Sequence, residues 1–375
     1  MSSTSNFRQR SNNNYQDRRR PPPYNPYSNN GSREKTFYQL KTQILPLVLI
    51  LSLLLIWFLT PLADVITTII LFTVPVSTDV QLGLESWHSM IQNNPQKYQI
   101  IQDQWGVESI GFDLVDSVIG NKYNMDQFCD SIAKTLLSSN HHHKKNDDDN
   151  NNPSSLINSA LDVLLDTKQH CKEQASKYNW SFQVIQSSDI NAFALPGGLI
   201  RVTDSLLQTL NLSRGEIAAL LGHEMAHVLY RHGQSQMLKR NLLKTVIKAL
   251  FYDDEDEDDE SFGEAIHELM IKSASFLGEL KFSRMNEYQA DHGAWEILSK
   301  SQKYNPRNVQ YLLERLYSLE NNHNHQAGRR TKVSQSYLST WDKTHPGTDD
   351  RIKELEGKWN QLSWDDQRKF QMRRL

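Results

Sequence analysis

Cysteine is nearly absent from this 375-residue chain: only Cys129 and Cys171 occur. Two thiols make neither a disulfide framework nor a cysteine-based zinc site, so any metal would be held by histidines and carboxylates. A large excess of either charge is also missing. The formal net charge of -3 gives no reason to expect a nucleic-acid partner. Acidic residues are scarce in one place, the first 40 residues, where Asp17 and Glu34 stand alone. That stretch is rich in Ser, Asn, Pro and Arg, with Arg18-Arg19-Arg20 before Pro21-Pro22-Pro23, a composition expected to stay disordered. Long apolar runs are absent beyond residue 76, and no internal repeat is evident.

One long apolar run is present. Ile44 to Thr60 (ILPLVLILSLLLIWFLT) carries no charge. As a helix rising about 1.5 Å per residue it would be roughly 25 Å long, a short but adequate membrane span. Some 40 polar residues precede it, unlike a secretory signal. Pro61 and Asp64 interrupt the run, and the apolar stretch Val65 to Val76 is too short to span alone. Arg33, Lys35 and Lys41 precede the span and no Lys or Arg follows until Lys97. The positive-inside rule then sends the C-terminal part across the membrane. The expected organisation is a basic N-terminal segment at 1–43, an anchor at 44–76 with its span at about 44–60, and a soluble domain at 77–375.

The soluble part reads as mainly α with a small β-sheet, an α+β fold. Ser77-Thr78-Asp79 can cap a helix with the stripe Val80, Leu84, Trp87 and Ile91. A second helix carries Val107, Ile110, Leu114 and Val118, and a helix over about 155–178 follows the low-complexity stretch 138–153 (SSNHHHKKNDDDNNNP). Residues 180–186 alternate through Trp180, Phe182 and Val184. Residues 190–195 and 199–202 flank Pro196-Gly197-Gly198, a hairpin signal. Ser213 and Glu216 have capping-box spacing for the next helix. The acidic run 253–260, within a second insertion at 252–261, reads as an exposed loop. A late helix carries Val309, Leu312, Leu313 and Leu316.

The chemistry concentrates at His223-Glu224-Met225-Ala226-His227, an HExxH motif. Four helical residues turn through about 400°, so His223 and His227 stack on one face and can bind one metal ion. Glu224 projects roughly 100° to the side, where it can reach a water in the open coordination position and act as its base. The apolar neighbours Ala218 to Leu221, Val228 and Leu229 predict a buried amphipathic helix. A catalytic zinc site needs a third protein ligand. His232, His267, His292, His345 and several carboxylates are candidates by composition. Glu287 and Asp291 stand out because they are again four apart on a predicted helix at 285–299. Glu287 can bind the metal while Asp291 orients a ligand histidine from behind.

Four motifs in order carry a resemblance. They are Asn191-Ala192-Phe193-Ala194-Leu195-Pro196-Gly197-Gly198, His223 to His227, Glu287-Tyr288-Gln289-Ala290-Asp291, and Thr344-His345-Pro346-Gly347-Thr348-Asp349-Asp350-Arg351-Ile352. The chain resembles the gluzincin metallopeptidase family that includes bacterial HtpX and BepA, the CAAX prenyl protease of the endoplasmic reticulum, and a mitochondrial inner-membrane peptidase whose activity overlaps the m-AAA protease. The resemblance implies one Zn2+ held by His223, His227 and Glu287, with Glu224 as base and Asp291 behind a ligand. It implies His345 as oxyanion partner with Arg351 in support, and a substrate-pairing edge strand at Asn191, Ala192, Phe193 and Ala194. It also implies polypeptide substrates, unfolded or membrane proteins among them, and membrane protein quality control or processing.

A single anchor fits the mitochondrial type best, which would place the catalytic domain in the intermembrane space. The alternative is the endoplasmic reticulum or another secretory membrane, where the sequons Asn179-Trp180-Ser181 and Asn211-Leu212-Ser213 would be available. Expected partners are polypeptide substrates, the lipid bilayer and further copies of the chain in a homo-oligomer. The competing reading is a catalytically silent relative acting as a chaperone or assembly factor. Such a relative would lack the base or a ligand, and all are present here.

Overall fold

The computed structural model describes residues 74–139, 175–239, 282–326 and 348–373, with Thr67, Leu71, Cys171, Trp341 and residues 344–346 beside them. By its internal contacts the chain divides into two compact units, Met1–Pro61 and Leu62–Leu375, and every described residue lies in the second. The apolar run at 44–60, the histidine triplet at 141–143, most of the helix expected at 155–178 and the acidic run at 253–260 lie outside the described residues. Among the described residues no helix is long and apolar enough to cross a membrane.

The second unit is mainly helical with one four-stranded sheet. The elements in order are α1 (Val76–Asn93), β1 (Gln99–Ile100), α2 (Val107–Val118), α3 (Lys122–Ser139), β2 (Ser181–Gln186), β3 (Ala192–Leu195), β4 (Leu199–Thr203), α4 (Asp204–Leu210), α5 (Arg214–Leu229), α6 (Arg284–Ser301), α7 (Asn308–Gln326), α8 (Thr348–Asn360) and α9 (Trp364–Gln371). The sheet order is β1-β2-β4-β3. β2 runs parallel to β4, and β3 lies antiparallel to β4 at the edge, with Leu195 opposite Leu199. Pro196-Gly197-Gly198 makes the connecting turn as one 3-10 turn. Gly197 has φ 77°, and a Cβ there would lie 2.5 Å from Val80 Cα, so only glycine lets α1 settle on this turn.

The stripe on α2 packs as expected: Val107, Ile110, Leu114 and Val118 are all buried. α1 departs from expectation. It begins after Pro75, with no side-chain cap, and buries Val76, Asp79, Leu82, Gly83, Ser86, Trp87 and Met90. Leu84 is 49% exposed. The face is set by Asp79, which turns inward to pair with Arg231 and takes the buried side round with it. The two cysteines, too few for a framework, are nevertheless joined as Cys129–Cys171.

α5 and α6 form the centre of the fold. α5 starts with the capping box the spacing predicted: Ser213 Oγ accepts from the Glu216 N–H, and the Glu216 carboxylate accepts from the Ser213 N–H at 2.7 Å. It is buried from Gly215 to Val228 on all sides, so the predicted amphipathic helix is in fact a central one. Small residues let α6 approach it closely. A Cβ on Gly293 would lie 2.5 Å from the Ala226 Cβ. That contact brings the carboxylates of α6 to the histidines of α5.

Candidate metal centre

The two α5 histidines point their inner nitrogens at each other, with His223 Nε2 and His227 Nε2 3.1 Å apart. Glu287 on α6 completes a triangle: its Oε2 lies 3.5 Å from His223 Nε2 and its Oε1 3.4 Å from His227 Nε2. A tetrahedral zinc site with arms of about 2.0–2.1 Å has ligand–ligand edges of about 3.3–3.4 Å. The three observed edges match that shape. His345, on the segment before α8, joins them; one ligand atom from each of His223, His227, Glu287 and His345 lies within 4.8 Å of the others. His345 Nδ1 sits 3.2 Å from both Glu287 oxygens, and its Nε2 lies 3.8 Å from Glu224 Oε1.

Charge around the centre is arranged in layers. Asp291 Oδ1 lies 3.0 Å from His223 Nδ1, so it accepts that N–H and leaves Nε2 free to ligate. Arg351 grips Asp291 with two bonds, from Nε at 2.6 Å and Nη2 at 2.8 Å, and its Nη1 lies 2.7 Å from Glu287 Oε2. All three groups are buried. Burial raises the Glu287 carboxyl, but His345, Arg351 and the two α5 histidines outweigh it and hold it well below the usual carboxylate range. Asp291 is lowered in the same way, with Arg351 opposing burial. Burial pulls His223 down, yet its bonds to Asp291 and Glu287 lift it to about 9. His227 has burial and a neighbouring cation against it and is held well below its ordinary value.

Glu224 has a different environment. It is 0% exposed and neither carboxylate oxygen has a hydrogen-bond partner among the described residues. Burial raises its pKa; the attraction of His345 and His223, with the Ala194 main-chain N–H nearby, offsets this only in part. A buried carboxylate with both oxygens orphaned is costly. Such a group is expected where a ligand supplies the missing partner.

The candidate substrate strand is β3, an edge as expected. Asn191 pairs with Thr203: the Thr203 N–H donates to Asn191 O at 3.0 Å, and the Asn191 N–H donates to Thr203 Oγ1 at 3.1 Å. The alternation of an antiparallel ladder then turns the main-chain groups of Ala192 and Ala194 away from β4; Ala192 is fully buried and Ala194 is half-buried. β3 packs directly against α5. Aromatic rings wall the centre. Phe282 stacks on His227 at 4.1 Å between centroids, and Trp341 on His345 at 4.1 Å.

The structure therefore brings His223, Glu224, His227, Glu287, Asp291, His345 and Arg351 into one buried cluster, beside the strand that begins after Asn191. Of the other histidines weighed as ligands, His292 pairs with Glu354 at the surface, 3.0 Å away. His267 lies outside the described residues. His232 lies behind His227 rather than in the ligand triangle, with 2.9 Å between their Nδ1 atoms. Burial holds it down to about 4. Phe282, Trp341, His232 and Gln289 were not singled out by spacing. Gln289 does fall inside the third motif.

The model of peptidase family M48 matches residues 158–358, more than half of the chain. The chain belongs to peptidase family M48. Among curated M48-type relatives, the mitochondrial metalloendopeptidase OMA1 of Arabidopsis thaliana is 30% identical over 155 residues, 41% of this chain and 29% of the relative. The mitochondrial metalloendopeptidase OMA1 of Bos taurus is 27% identical over 188 residues, 48% of this chain and 32% of the relative. The metalloprotease LoiP of Escherichia coli is 27% identical over 147 residues, 37% of this chain and 52% of the relative. The M48 chain thus matches about a third to a half of the length of these relatives. The matched segment contains the HExxH helix, β3, α6 and the start of α8.

Proposed function

We propose that this M48 chain is a membrane-anchored zinc metalloendopeptidase that hydrolyses peptide bonds in unfolded or membrane proteins. The observation that carries the reading is the orphaned Glu224 carboxylate beside a three-ligand triangle of zinc dimensions. His223, His227 and Glu287 would hold the ion. When bound, zinc would supply a polarised water with a pKa lowered to about 7 and a Lewis acid for the substrate carbonyl.

The chain's own residues do the rest. Glu224 takes a proton on its free carboxylate and returns it to the departing amine; burial raises its pKa, which favours holding that proton between the two steps. Ala192 and Ala194 align an extended substrate backbone by pairing it along the β3 edge of the sheet. His345 donates to the developing oxyanion. In the present arrangement its Nδ1 lies 3.2 Å from both Glu287 oxygens and its Nε2 3.8 Å from Glu224 Oε1. Asp291 and Arg351 keep the ligands oriented and Glu287 ionised.

The same reading places the chain in the mitochondrial inner membrane, with the peptidase domain in the intermembrane space and a role in membrane protein quality control. It is supported by the mitochondrial names of the OMA1 relatives, by the charge asymmetry around residues 44–60 and by the Cys129–Cys171 disulfide, which suits an oxidising compartment. The test measures zinc content and cleavage of an unfolded protein by the full-length chain, beside Glu224→Gln. Zinc in both proteins, with cleavage by the wild type alone, is the expected result. Zinc in both with no cleavage by either overturns the peptidase reading.

A further inference from the structure

The outer nitrogens of the two α5 histidines are held by different means. His223 Nδ1 meets a carboxylate, Asp291. His227 Nδ1 meets another ring, His232 Nδ1, at 2.9 Å, and His232 Nε2 lies 2.9 Å from Gln289 Oε1. All three side chains are buried. A neutral imidazole has one N–H and one lone pair, so this chain of three groups has a direction.

Two directions are available. With the Gln289 carbonyl facing His232, Nε2 of His232 donates and its Nδ1 accepts. His227 then donates from Nδ1 and keeps the lone pair of Nε2 aimed at the centre. With the amide reversed, every step reverses, and His227 carries its proton on Nε2, where it cannot ligate. We propose that Gln289 and His232 are positioning residues that fix the tautomer of His227 and so make it a metal ligand. This rests on the zinc reading above.

The chemistry explains why an amide stands at the end of the relay. Glu224, Glu287 and Asp291 already place three carboxyl groups in a buried site, with one guanidinium bridging the last two. A fourth would lack a counter-charge. The amide oxygen supplies the same acceptor without adding charge. The left-handed backbone of Arg231, at φ 54°, brings His232 round behind His227.

Two measurements on the full-length chain test the relay. Long-range 1H–15N spectra of histidine-labelled, zinc-loaded wild type report tautomers directly; His232 protonated at Nε2 and His227 at Nδ1 are expected. Zinc affinity, read by competition with a chelator, is expected to fall about 10–100-fold in Gln289→Leu and His232→Phe. Thermal melts of the metal-free variants check folding, and the wild-type spectra need no variant at all. His232 protonated at Nδ1, or a folded Gln289→Leu with wild-type affinity, overturns the relay while leaving the zinc site intact. A wild type that binds no zinc overturns the zinc reading and the relay together.

Discussion

Replacing Arg351 by methionine removes the one guanidinium that bridges Asp291 and Glu287, at 2.6, 2.8 and 2.7 Å, and leaves two buried carboxylates facing each other's field. Methionine fills much of the same volume, so the cost is electrostatic rather than a cavity. Breaking a buried pair by removing one partner costs about 3–5 kcal/mol. Urea denaturation of the metal-free chain at pH 7.5 should therefore show a loss in that range. The pH dependence has a definite sign. In the wild type both carboxyls sit below their unfolded values, so they contribute stability at neutral pH that is lost as pH falls through the folded values. Without Arg351, burial dominates and lifts both carboxyls, so they favour the folded state more when protonated. The gap between wild type and variant should narrow from pH 7.5 to about pH 5. Added zinc should narrow it too, because a cation at the ligand triangle compensates Glu287. A loss below about 1 kcal/mol, the value of an exposed pair, with no change at lower pH, would refute this account of Arg351.

Three further outcomes follow from other parts of the site and fold. Glu224→Gln should lower peptidase turnover by about 10²–10⁴-fold with zinc stoichiometry unchanged, and should melt no lower than wild type because an uncompensated carboxylate is gone; loss of zinc would count against the assigned role. Cys129→Ser with Cys171→Ser opens a 42-residue loop and should cost about 4 kcal/mol in the chain-entropy account, read as a lower melting temperature that matches reduced wild type. Equal melting of the double variant and the oxidised wild type would mean that the bridge does not constrain the fold. Ala194→Pro removes an outward-facing N–H from an edge strand, where proline is tolerated, and should lower kcat/KM on extended peptides about tenfold. An unchanged kcat/KM would remove β3 from substrate binding.

Local signals were readable and global ones were not. The stripe of α2, the Gly197 turn, the Ser213 capping box and the four-residue spacing of Glu287 and Asp291 on one helix each depend on residues a few positions apart, and the structure contains them. The buried face of α1 differs from its apolar stripe because its orientation is set by Asp79 meeting Arg231, 152 residues away. Gln289 gives no local signal for a related reason. It lies two residues from Glu287, about 200° around α6, which reads as the side away from the metal. Only the turn after α5, which swings His232 round, makes that side relevant. Trp341 and Phe282 were invisible because stacking on a ligand ring leaves no spacing pattern.

The bend at Arg231 links these features. A non-glycine residue at φ 54° costs about 1–2 kcal/mol, so something must hold it there. The Arg231 side chain is buried and pairs with Asp79 at 2.6 Å. It also donates to the carbonyls of Leu71 and Val74. Tyr178 adds a bond to the other Asp79 oxygen at 3.4 Å. These contacts offset the strain and fasten the C-terminal end of α5 to the residues that precede α1. The capping box fastens its other end. His223 and His227, the candidate metal ligands, thus lie in a helix fastened at both ends, which suits a site that tolerates errors of only about half an ångström. The same backbone angle that ends the helix carries His232 behind His227. In this fold the clamp on α1 and the relay behind the ligand are therefore two consequences of one turn, and a change that relaxed the backbone at Arg231 would disturb both.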